Sequence, residues 1–244
     1  MHWLGINHND IQAAKLELLK NKIEGVAPET IASVVNFTKR FKELPLPQGA
    51  VTIESVTEWE DVPEDYLEVL NYLQTRGAAV ADGYDYYWSP STKHDMNKRI
   101  IIPFYHDHNI VGWTARYAGK PPAGTPRYFN SHLQPGYIFN NEVIDKPDRK
   151  YVLLVEGPFD AIATGGVAIT HNEPSEVQCS RINALNKEVI LVPDRDKPGA
   201  KMIKAALDNN WHVSLPPWGE DVKDASKAVE KFGKVYTLAT ILHY

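Results

Sequence analysis

The stretch that decides the fold reads YVLLVEGPFDA over residues 151–161. Five residues suited to a buried strand are followed by a Glu-Gly-Pro turn and the start of a helix. A second stretch of this kind, EVILVPDRDKPG, covers residues 188–199, and shorter apolar runs occupy 167–170 and 211–215. Short apolar strands that alternate with helices are typical of a parallel α/β sheet. Such a sheet, flanked by helices, is therefore predicted over residues 149–244.

Acidic residues directly follow two of these predicted strands. Glu156 comes after the first strand, and Asp194 and Asp196 come after the other. Ligands of open parallel sheets bind beyond the carboxyl ends of the strands, where residues distant in sequence converge. Residues two apart in an extended backbone point to the same side, so both aspartates can face one cation together with the glutamate. Carboxylates gathered in this way repel one another, and their oxygens suit a hard divalent cation.

The chemistry that fits such a cluster is metal-dependent nucleotidyl transfer, in which the cation neutralises a triphosphate and activates a hydroxyl. An Asp-x-Asp pair alone is also common in surface loops. The placement of Asp194 and Asp196 beside Glu156, each after an apolar strand, favours the metal site.

Upstream of the predicted sheet the pattern changes. Residues 1–45 show helical spacing in two stretches, and two prolines, Pro45 and Pro47, then break it. The strongly acidic stretch 54–68 is interpreted as the solvated face of a helix around Pro63–Arg76 that Gly77 closes. Residues 99–117 predict a β-hairpin with its turn at 106–109. Three units are therefore predicted: a helical N-terminal segment (1–48), a mixed α+β basic subdomain (49–148) and the parallel α/β domain (149–244).

Basic residues are concentrated in the second of these units. Between residues 93 and 127 there are six lysines and arginines and only two aspartates, Asp95 and Asp107. A basic surface beside a metal site can hold template phosphates or a triphosphate; a solvated surface is the other interpretation. Nearby aromatic residues either stack on bases or pack in a core. These are Tyr84, Tyr86, Tyr87, Trp88 and Trp113.

The two strand–turn segments resemble the two signatures of Toprim domains, which occur in primases, topoisomerases and some nucleases. LLVEGPFDA (153–161) has an acidic residue four positions after the Glu, and LVPDRDKPG (191–199) has a Gly three positions after the Asp pair. RIIIPF (99–104), NIVGWTAR (109–116) and PRYFNS (126–131) resemble the hairpin and the basic–Tyr–x–Asn–Ser motif of bacterial and phage primases. PWGEDVKDA (217–225) is similar to the acidic segment after their last core strand. The ordered resemblance covers about residues 95–232.

The resemblance implies a set of site residues. The catalytic carboxylates would be Glu156, Asp194 and Asp196, and the metal ligands would be these three with Asp160 and Asp224. Asp221 is a further candidate. The alternative for Asp160 is that it caps its helix or faces solvent on it. The alternative for Asp224 is that it is the N-cap of a helix over 225–231. The nucleotide- and template-binding residues would be Arg99, Arg116, Arg127, Asn130 and Lys197.

The function that the resemblance implies is that of a DNA primase core, which makes RNA primers on single-stranded DNA from ribonucleoside triphosphates with Mg²⁺ or Mn²⁺. The alternatives are a Toprim nuclease and a non-catalytic nucleic-acid-binding module; the hairpin and the residue 126–131 motif count against the nuclease. Cys179 is the single cysteine and there is no phosphate-binding GxxxxGK[ST] loop. The primases that the chain resembles have a zinc-binding template-recognition module. Either this chain is a fragment or another chain supplies that module, and a separate zinc-binding module and a replicative helicase are expected as partners.

The remaining expectations concern charge and location. A formal net charge of -5 argues against a general nucleic-acid coat but not against a local basic track. No apolar run reaches membrane-spanning length, and the N-terminus lacks a secretory pattern. No membrane partner is expected, and the expected location is the cytoplasm, or the host cytoplasm if the protein is viral.

Overall fold

The computed structural model describes residues 41–144, 148–171 and 173–244, with the side chains of residues 197 and 198 left out. The helical stretches predicted within residues 1–40 lie outside these ranges. Residues 41–50 contain no helix or strand and run along the hairpin, where the backbone N–H of Leu44 donates to the carbonyl of Ile110. The described part of the chain contains two β-sheets, one on each side of residues 145–147.

The first sheet is antiparallel and has five strands in sequential order. Its strands are β1 (Val51–Thr52), β2 (Tyr87–Trp88), β3 (Arg99–His106), β4 (Asn109–Tyr117) and β5 (Tyr128–Asn130). The associated helices are α1 (Ile53–Val56), α2 (Glu64–Gln74) and α3 (Ala78–Ala81), with 3₁₀ turns at Lys93–Lys98 and Asn141–Ile144. This confirms a mixed α+β unit before the parallel sheet.

The hairpin predicted over residues 99–117 is confirmed. Strands β3 and β4 pair from Arg99 opposite Tyr117 to His106 opposite Asn109. The two turn residues, Asp107 and His108, have φ values of 47° and 65°. Two successive positive φ angles define a type I′ turn, whose twist matches that of the flanking strands. The hairpin supplies the central strand β3 and its inner neighbour β4 in this sheet.

The second sheet is parallel and has the strand order β7-β6-β8-β9. Its strands are β6 (Tyr151–Val155), β7 (Val167–Ala168), β8 (Glu188–Leu191) and β9 (His212–Val213). The helices that accompany it are α4 (Pro158–Thr164), α5 (Glu176–Asn183), α6 (Lys197–Asp208), α7 (Ala225–Phe232) and α8 (Lys234–His243). The predicted α/β fold with a helix-flanked parallel sheet is therefore confirmed.

Alternate residues of strand β6 face two different apolar layers. Leu153 and Val155 pack with residues of α4, α7 and α8, whereas Val152 and Leu154 pack with residues of α5 and α6. Both faces of the parallel sheet are thus covered by helices, as parallel sheets require. This burial holds β6 and β8 side by side, so that their carboxyl ends lie at one edge.

One apolar core extends across both sheets. Phe104 of β3 and Phe139 belong to the same buried cluster as Phe159 and Val229 of the second unit. Phe139 also forms an antiparallel bridge with Ala168, at the end of β7. The two sheets therefore meet along a packed interface, while the domain boundaries at 48/49 and 148/149 stay predictions. No helix in the described ranges is long and apolar enough to span a membrane.

Candidate active site

A cleft opens where the carboxyl ends of β6 and β8 face strands β4 and β5. Its volume is about 450 Å³, within the range of small-molecule sites. One wall is acidic and the opposite wall is basic. The polar and charged lining residues are Arg76, Thr114, Arg116, Arg127, Asn130, Glu156, Asp160, Thr170, His171, Asp194 and Asp224.

Glu156 and Asp194 lie together at the ends of adjacent strands, as the sequence predicts. The backbone N–H of Asp194 donates to Oε1 of Glu156 at 3.3 Å. Gly199, near the start of α6, permits this arrangement because a Cβ atom there would lie 2.1 Å from the carbonyl oxygen of Asp194 and 3.3 Å from Oε1 of Glu156. A glycine at this point is thus a requirement of close backbone packing beside the two carboxylates.

Asp160 and Asp224 meet at the N-terminus of α7. Oδ1 of Asp160 accepts the backbone N–H of Ser226 at 2.8 Å, and Oδ1 of Asp224 accepts that of Lys227 at 2.7 Å. Unsatisfied N–H groups at a helix start favour carboxylates. The N-cap alternative for Asp224 is confirmed, and the same residue also lines the cleft.

Arg195 tethers the loop that brings Asp224 to the cleft. Its guanidinium donates to the carbonyls of Pro216 and Trp218, and its backbone N–H donates to the carbonyl of Lys223 at 3.0 Å. The middle residue of the Asp-Arg-Asp segment therefore holds the following acidic loop against the end of β8. Acids that are 30 positions apart in sequence are gathered in this way.

The acidic wall carries carboxyl groups that resist ionisation. Burial raises the pKa of Asp194, and the charges of Asp160, Glu156 and Asp224 raise it further. Burial and the charge of Asp224 also raise the pKa of Asp160, against the opposing effect of Arg76. The pKa of Glu156 is raised by burial. Crowded carboxyl groups of this kind are stabilised by a nearby positive charge.

The raised pKa values predict a stability that falls with increasing pH. Burial and Asp224 raise the pKa of Asp160 to about 7, so between about pH 4 and pH 7 the folded state binds more protons than the unfolded state. The metal-free protein should therefore lose stability as the pH rises through this window. Asp160→Asn should reduce the loss between pH 5 and pH 7.5 by about 1–2 kcal/mol. Urea unfolding at several pH values measures this, and an unchanged slope in the variant would contradict it.

Two acidic residues of the predicted set lie outside the cleft lining. Asp196 is exposed and caps α6, because its Oδ1 accepts the backbone N–H of Gly199 at 3.1 Å. Its charge nevertheless raises the pKa of Glu156 and Asp194. Asp221 is exposed and pairs with Lys231 at 2.6 Å. Among the described residues, no three His, Cys, Asp or Glu side chains are close enough to hold a metal ion together, so the expected Glu156–Asp194–Asp196 ligand set is not preformed.

Two of the predicted nucleotide-binding residues, Arg116 and Arg127, form the basic wall, and a third, Asn130, lies beside them. Arg116 and Arg127 line the cleft with Asn130, whose Oδ1 accepts the hydroxyl of Thr114. Arg116 is held in place by aromatic contacts: its Nε and Nη2 donate to the hydroxyl of Tyr72 at 3.2 and 3.1 Å. Its guanidinium carbon also lies 4.9 Å from the centroid of the Tyr128 ring. The wall is positively charged and partly rigid.

Arg99 departs from the predicted role. It is 1% exposed, and its guanidinium donates to the carbonyls of His94, Ala115, Pro126 and Arg127. Its donors are thus directed to the backbone, and the residue is not placed to bind a phosphate. Of Lys197 the structure describes the backbone at the start of α6, and its side-chain role stays a prediction.

The prediction from the sequence did not include several residues that line the cleft. Arg76 and Thr170 line it without belonging to any motif, and Thr114 lines it although its motif was not expected to supply a site residue there. Thr170 ends the apolar run 167–170, so its place at the end of a predicted strand was an available signal. His171, which follows this run, also lies in the lining. The aromatic residues Tyr86 and Trp88 are buried in the core, which confirms the packing interpretation for these two.

Comparison with solved structures finds primase chains. The DnaG catalytic core matches with a TM-score of 0.50 and 21% identity over 60% of this chain and 52% of that chain. The DnaG primase catalytic domain bound to ssDNA matches with a TM-score of 0.56 and 17% identity, over 74% of this chain and 73% of that chain. The Aquifex aeolicus primase, with zinc-binding and RNA polymerase domains, matches with a TM-score of 0.57 and 18% identity, over 93% of this chain and 70% of that chain.

Comparison with family models and with curated proteins finds no match. The sequence identity to these solved structures is low, so the comparison shows which fold the chain has. The chain has the mixed α/β architecture of the primase catalytic core, in which a parallel sheet flanked by helices is accompanied by an antiparallel sheet.

Proposed function

We propose that this chain is the catalytic core of a DNA primase of the Toprim type, related to bacterial and bacteriophage replicative primases. It would synthesise short RNA primers on single-stranded DNA. The observation that carries the proposal is the cleft itself. Its acidic wall, formed by Glu156, Asp160, Asp194 and Asp224, faces the basic wall formed by Arg116 and Arg127 across a single cavity.

The acidic wall fits a hard divalent cation such as Mg²⁺ or Mn²⁺. The pKa values of Glu156, Asp160 and Asp194 are raised by burial, and for all three residues repulsion by neighbouring carboxylates adds to this effect. A bound cation relieves both costs. Mg²⁺ is commonly held by one or two carboxylates, with water and substrate phosphates completing its shell, so three preformed ligands are not required. Glu156 and Asp194 would hold the ion, with Asp160, Asp224 and Asp196 close to them.

The residues of the chain divide the work of nucleotide addition between the two walls. When bound, the cation would supply charge neutralisation of the triphosphate and the leaving pyrophosphate. Arg116 and Arg127 would hold phosphate oxygens on the opposite side, and Asn130 would orient the nucleotide through its amide. Catalysis of this kind depends mainly on positioning and electrostatics. No nucleophilic side chain of the protein is needed.

The partners follow from the same proposal. The template would be single-stranded DNA, which one DnaG neighbour is described as binding, and the substrates would be ribonucleoside triphosphates. The Aquifex aeolicus neighbour includes a zinc-binding domain; here a separate zinc-binding module would select the start site, and a replicative helicase would deliver the template. The proposed location is the cytoplasm, or the host cytoplasm if the protein is viral.

Extension of a short RNA annealed to a DNA template tests the proposal directly. A pre-annealed primer removes the need for start-site selection by another chain. We expect labelled ribonucleotides to be added in template order with Mg²⁺ or Mn²⁺, and no addition after chelation with EDTA. Cleavage of either strand without extension would point to a nuclease, and binding without extension or cleavage would point to a non-catalytic module; both outcomes would reject the proposal.

A further inference from the structure

Helix α8 presents an apolar stripe to solvent. Val235, Ala239 and Leu242 are spaced by four and three positions, which places them on one side of the helix. All three are exposed, Val235 to 85% and Leu242 to 51%. A helix at the surface of a globular protein normally buries such a stripe and turns polar residues to water. This side of α8 therefore fits an apolar partner surface.

A groove extends this stripe onto the parallel sheet. It lies between α8 and the start of β6, and its volume is about 340 Å³. Its apolar lining residues are Tyr151, Leu153, Leu238 and Leu242, and none of them lines the candidate active-site cleft. The stripe and the groove together are called the α8 face below. It is a concave apolar surface separate from the acidic and basic walls.

The rim of the α8 face is basic. Lys150 is exposed beside the groove. Arg149 and Lys234 are neighbours, because a Cβ atom at Gly165 would lie 3.6 Å from Nη2 of the arginine and 3.6 Å from Nζ of the lysine. Asp148 also lines the groove, yet within the described residues no carboxylate oxygen lies within 4.0 Å of a side-chain nitrogen of these three cations. Cations gathered without a counter-charge favour an anionic partner.

The first unit carries a surface of the opposite charge, called the acidic surface below. Three large apolar side chains are exposed on it, those of Trp59, Val62 and Leu67. The exposed acids around them are Glu54, Glu58, Glu60, Asp61, Glu64 and Glu68. Across the described ranges, none of these six acids has a lysine, arginine or histidine nitrogen within 4.0 Å. A solvated helix face accounts for the acids, but three exposed apolar side chains among them are typical of an interface.

We infer that the α8 face of one copy of this chain binds the acidic surface of a second copy. Both surfaces have apolar side chains at the centre and charges around them, and the two sets of charges are opposite. Contact between them would remove the apolar side chains from water and pair the charges at the rim. Neither surface includes a residue that lines the cleft, so the active site stays open.

The two surfaces belong to different parts of the chain, which decides the kind of assembly. A contact between two different surfaces is heterologous, and each added copy leaves one surface of each kind free. Copies therefore add head to tail, and the assembly closes into a ring or continues as a filament. A contact between two α8 faces would instead stop at a dimer.

Sedimentation velocity of the full chain tests the inference. The average mass should rise with concentration between about 5 and about 200 µM, the range of a small interface. It should pass beyond that of a dimer. Lys150→Glu combined with Lys234→Glu should lower the association constant by about tenfold or more, and so should Glu60→Lys combined with Glu68→Lys, because each places like charges in contact. These four side chains are exposed, so the fold should tolerate the changes.

A mixture of the two double variants gives the sharpest readout. Each variant alone has two surfaces of the same sign, whereas in the mixture every surface meets one of opposite sign. Association in the equimolar mixture should return to within about threefold of the parent chain, which would also show that both variants are folded. Lys201→Glu combined with Lys204→Glu is the matched control, because it makes the same change of charge on exposed positions of α6. Its association should equal that of the parent.

Three outcomes would overturn the inference. A parent chain that stays monomeric at about 200 µM lacks the interface. Full association by the Glu60→Lys and Glu68→Lys variant alone would show that two α8 faces pair with each other. Binding of a monomeric parent to phosphatidylserine vesicles, lost in the Lys150→Glu and Lys234→Glu variant, would assign the α8 face to a membrane surface. None of these measurements depends on primer extension, so they stand apart from the test of the proposed function.

Discussion

Asp194→Asn should abolish primer extension and at the same time stabilise the metal-free protein. The carboxylate is at the centre of the acidic wall, where Asp160, Glu156 and Asp224 all raise its pKa. Loss of a charged ligand to the proposed cation should lower the extension rate by about 10³-fold or more, which corresponds to about 4 kcal/mol. Removal of the same charge from a crowded, half-buried position should raise the free energy of unfolding by about 1–2 kcal/mol at pH 8.

The opposite directions of the two effects distinguish this variant from a misfolded one. A gain of about 1–2 kcal/mol raises the melting temperature of a chain of this size by several degrees, which differential scanning calorimetry resolves. Glu156→Gln should show the same loss of extension. Asp221→Asn is the matched control, because that carboxylate pairs with Lys231 outside the cleft, and extension should stay within about twofold of the parent chain. Normal extension by Asp194→Asn would show that the site is assigned wrongly.

The residues at the strand ends were predictable because their environment is local. An apolar run followed by a glycine turn predicts both the strand and the edge at which it ends. Two such runs pair as neighbours in the fold, which places Glu156 beside Asp194. The hairpin was predictable for a similar reason, since its two apolar runs and its turn lie within residues 99–117. These features depend on short-range patterning, which a sequence displays directly.

The remaining parts of the site depend on contacts between distant segments. Asp160 meets Asp224 only because Arg195 fastens the loop after β9 to the end of β8. Arg76 enters the cleft because the two units share one core. Asp196 was expected to face the cation, but the start of α6 takes its carboxylate as a cap. For Asp160 and Arg76 a contact between segments distant in sequence decides the position, and no periodicity in the sequence records it. The Asp196 cap is local, because it spans three residues.

Arg99→Met should destabilise the protein by about 3–5 kcal/mol, the largest stability effect that we expect for a single charged residue here. The guanidinium is 1% exposed and donates to four backbone carbonyls, three of them contributed by Ala115, Pro126 and Arg127. Methionine fills much of the same volume but removes the guanidinium donors to these carbonyls. The carbonyl of Arg127 keeps a bond from the backbone N–H of Tyr117, so the cost is the loss of the guanidinium bonds and of the donor to any carbonyl that has no other. Arg99→Lys should lose less, because an ammonium group keeps some of the donors.

The destabilisation has a consequence for the basic wall, because Arg99 holds the backbone from which that wall is built. Its bonds to the carbonyls of Pro126 and Arg127 fix the start of β5, where Arg127 and Asn130 face the cleft. Arg127→Met is the matched comparison: this side chain is exposed, so stability should change by less than about 0.5 kcal/mol while nucleotide binding weakens. Urea unfolding and nucleotide titration of both variants give the two readouts. If Arg99→Met kept the parent stability and lost only nucleotide affinity, the guanidinium would be a ligand-binding group, and the assignment of its donors to the backbone would be wrong.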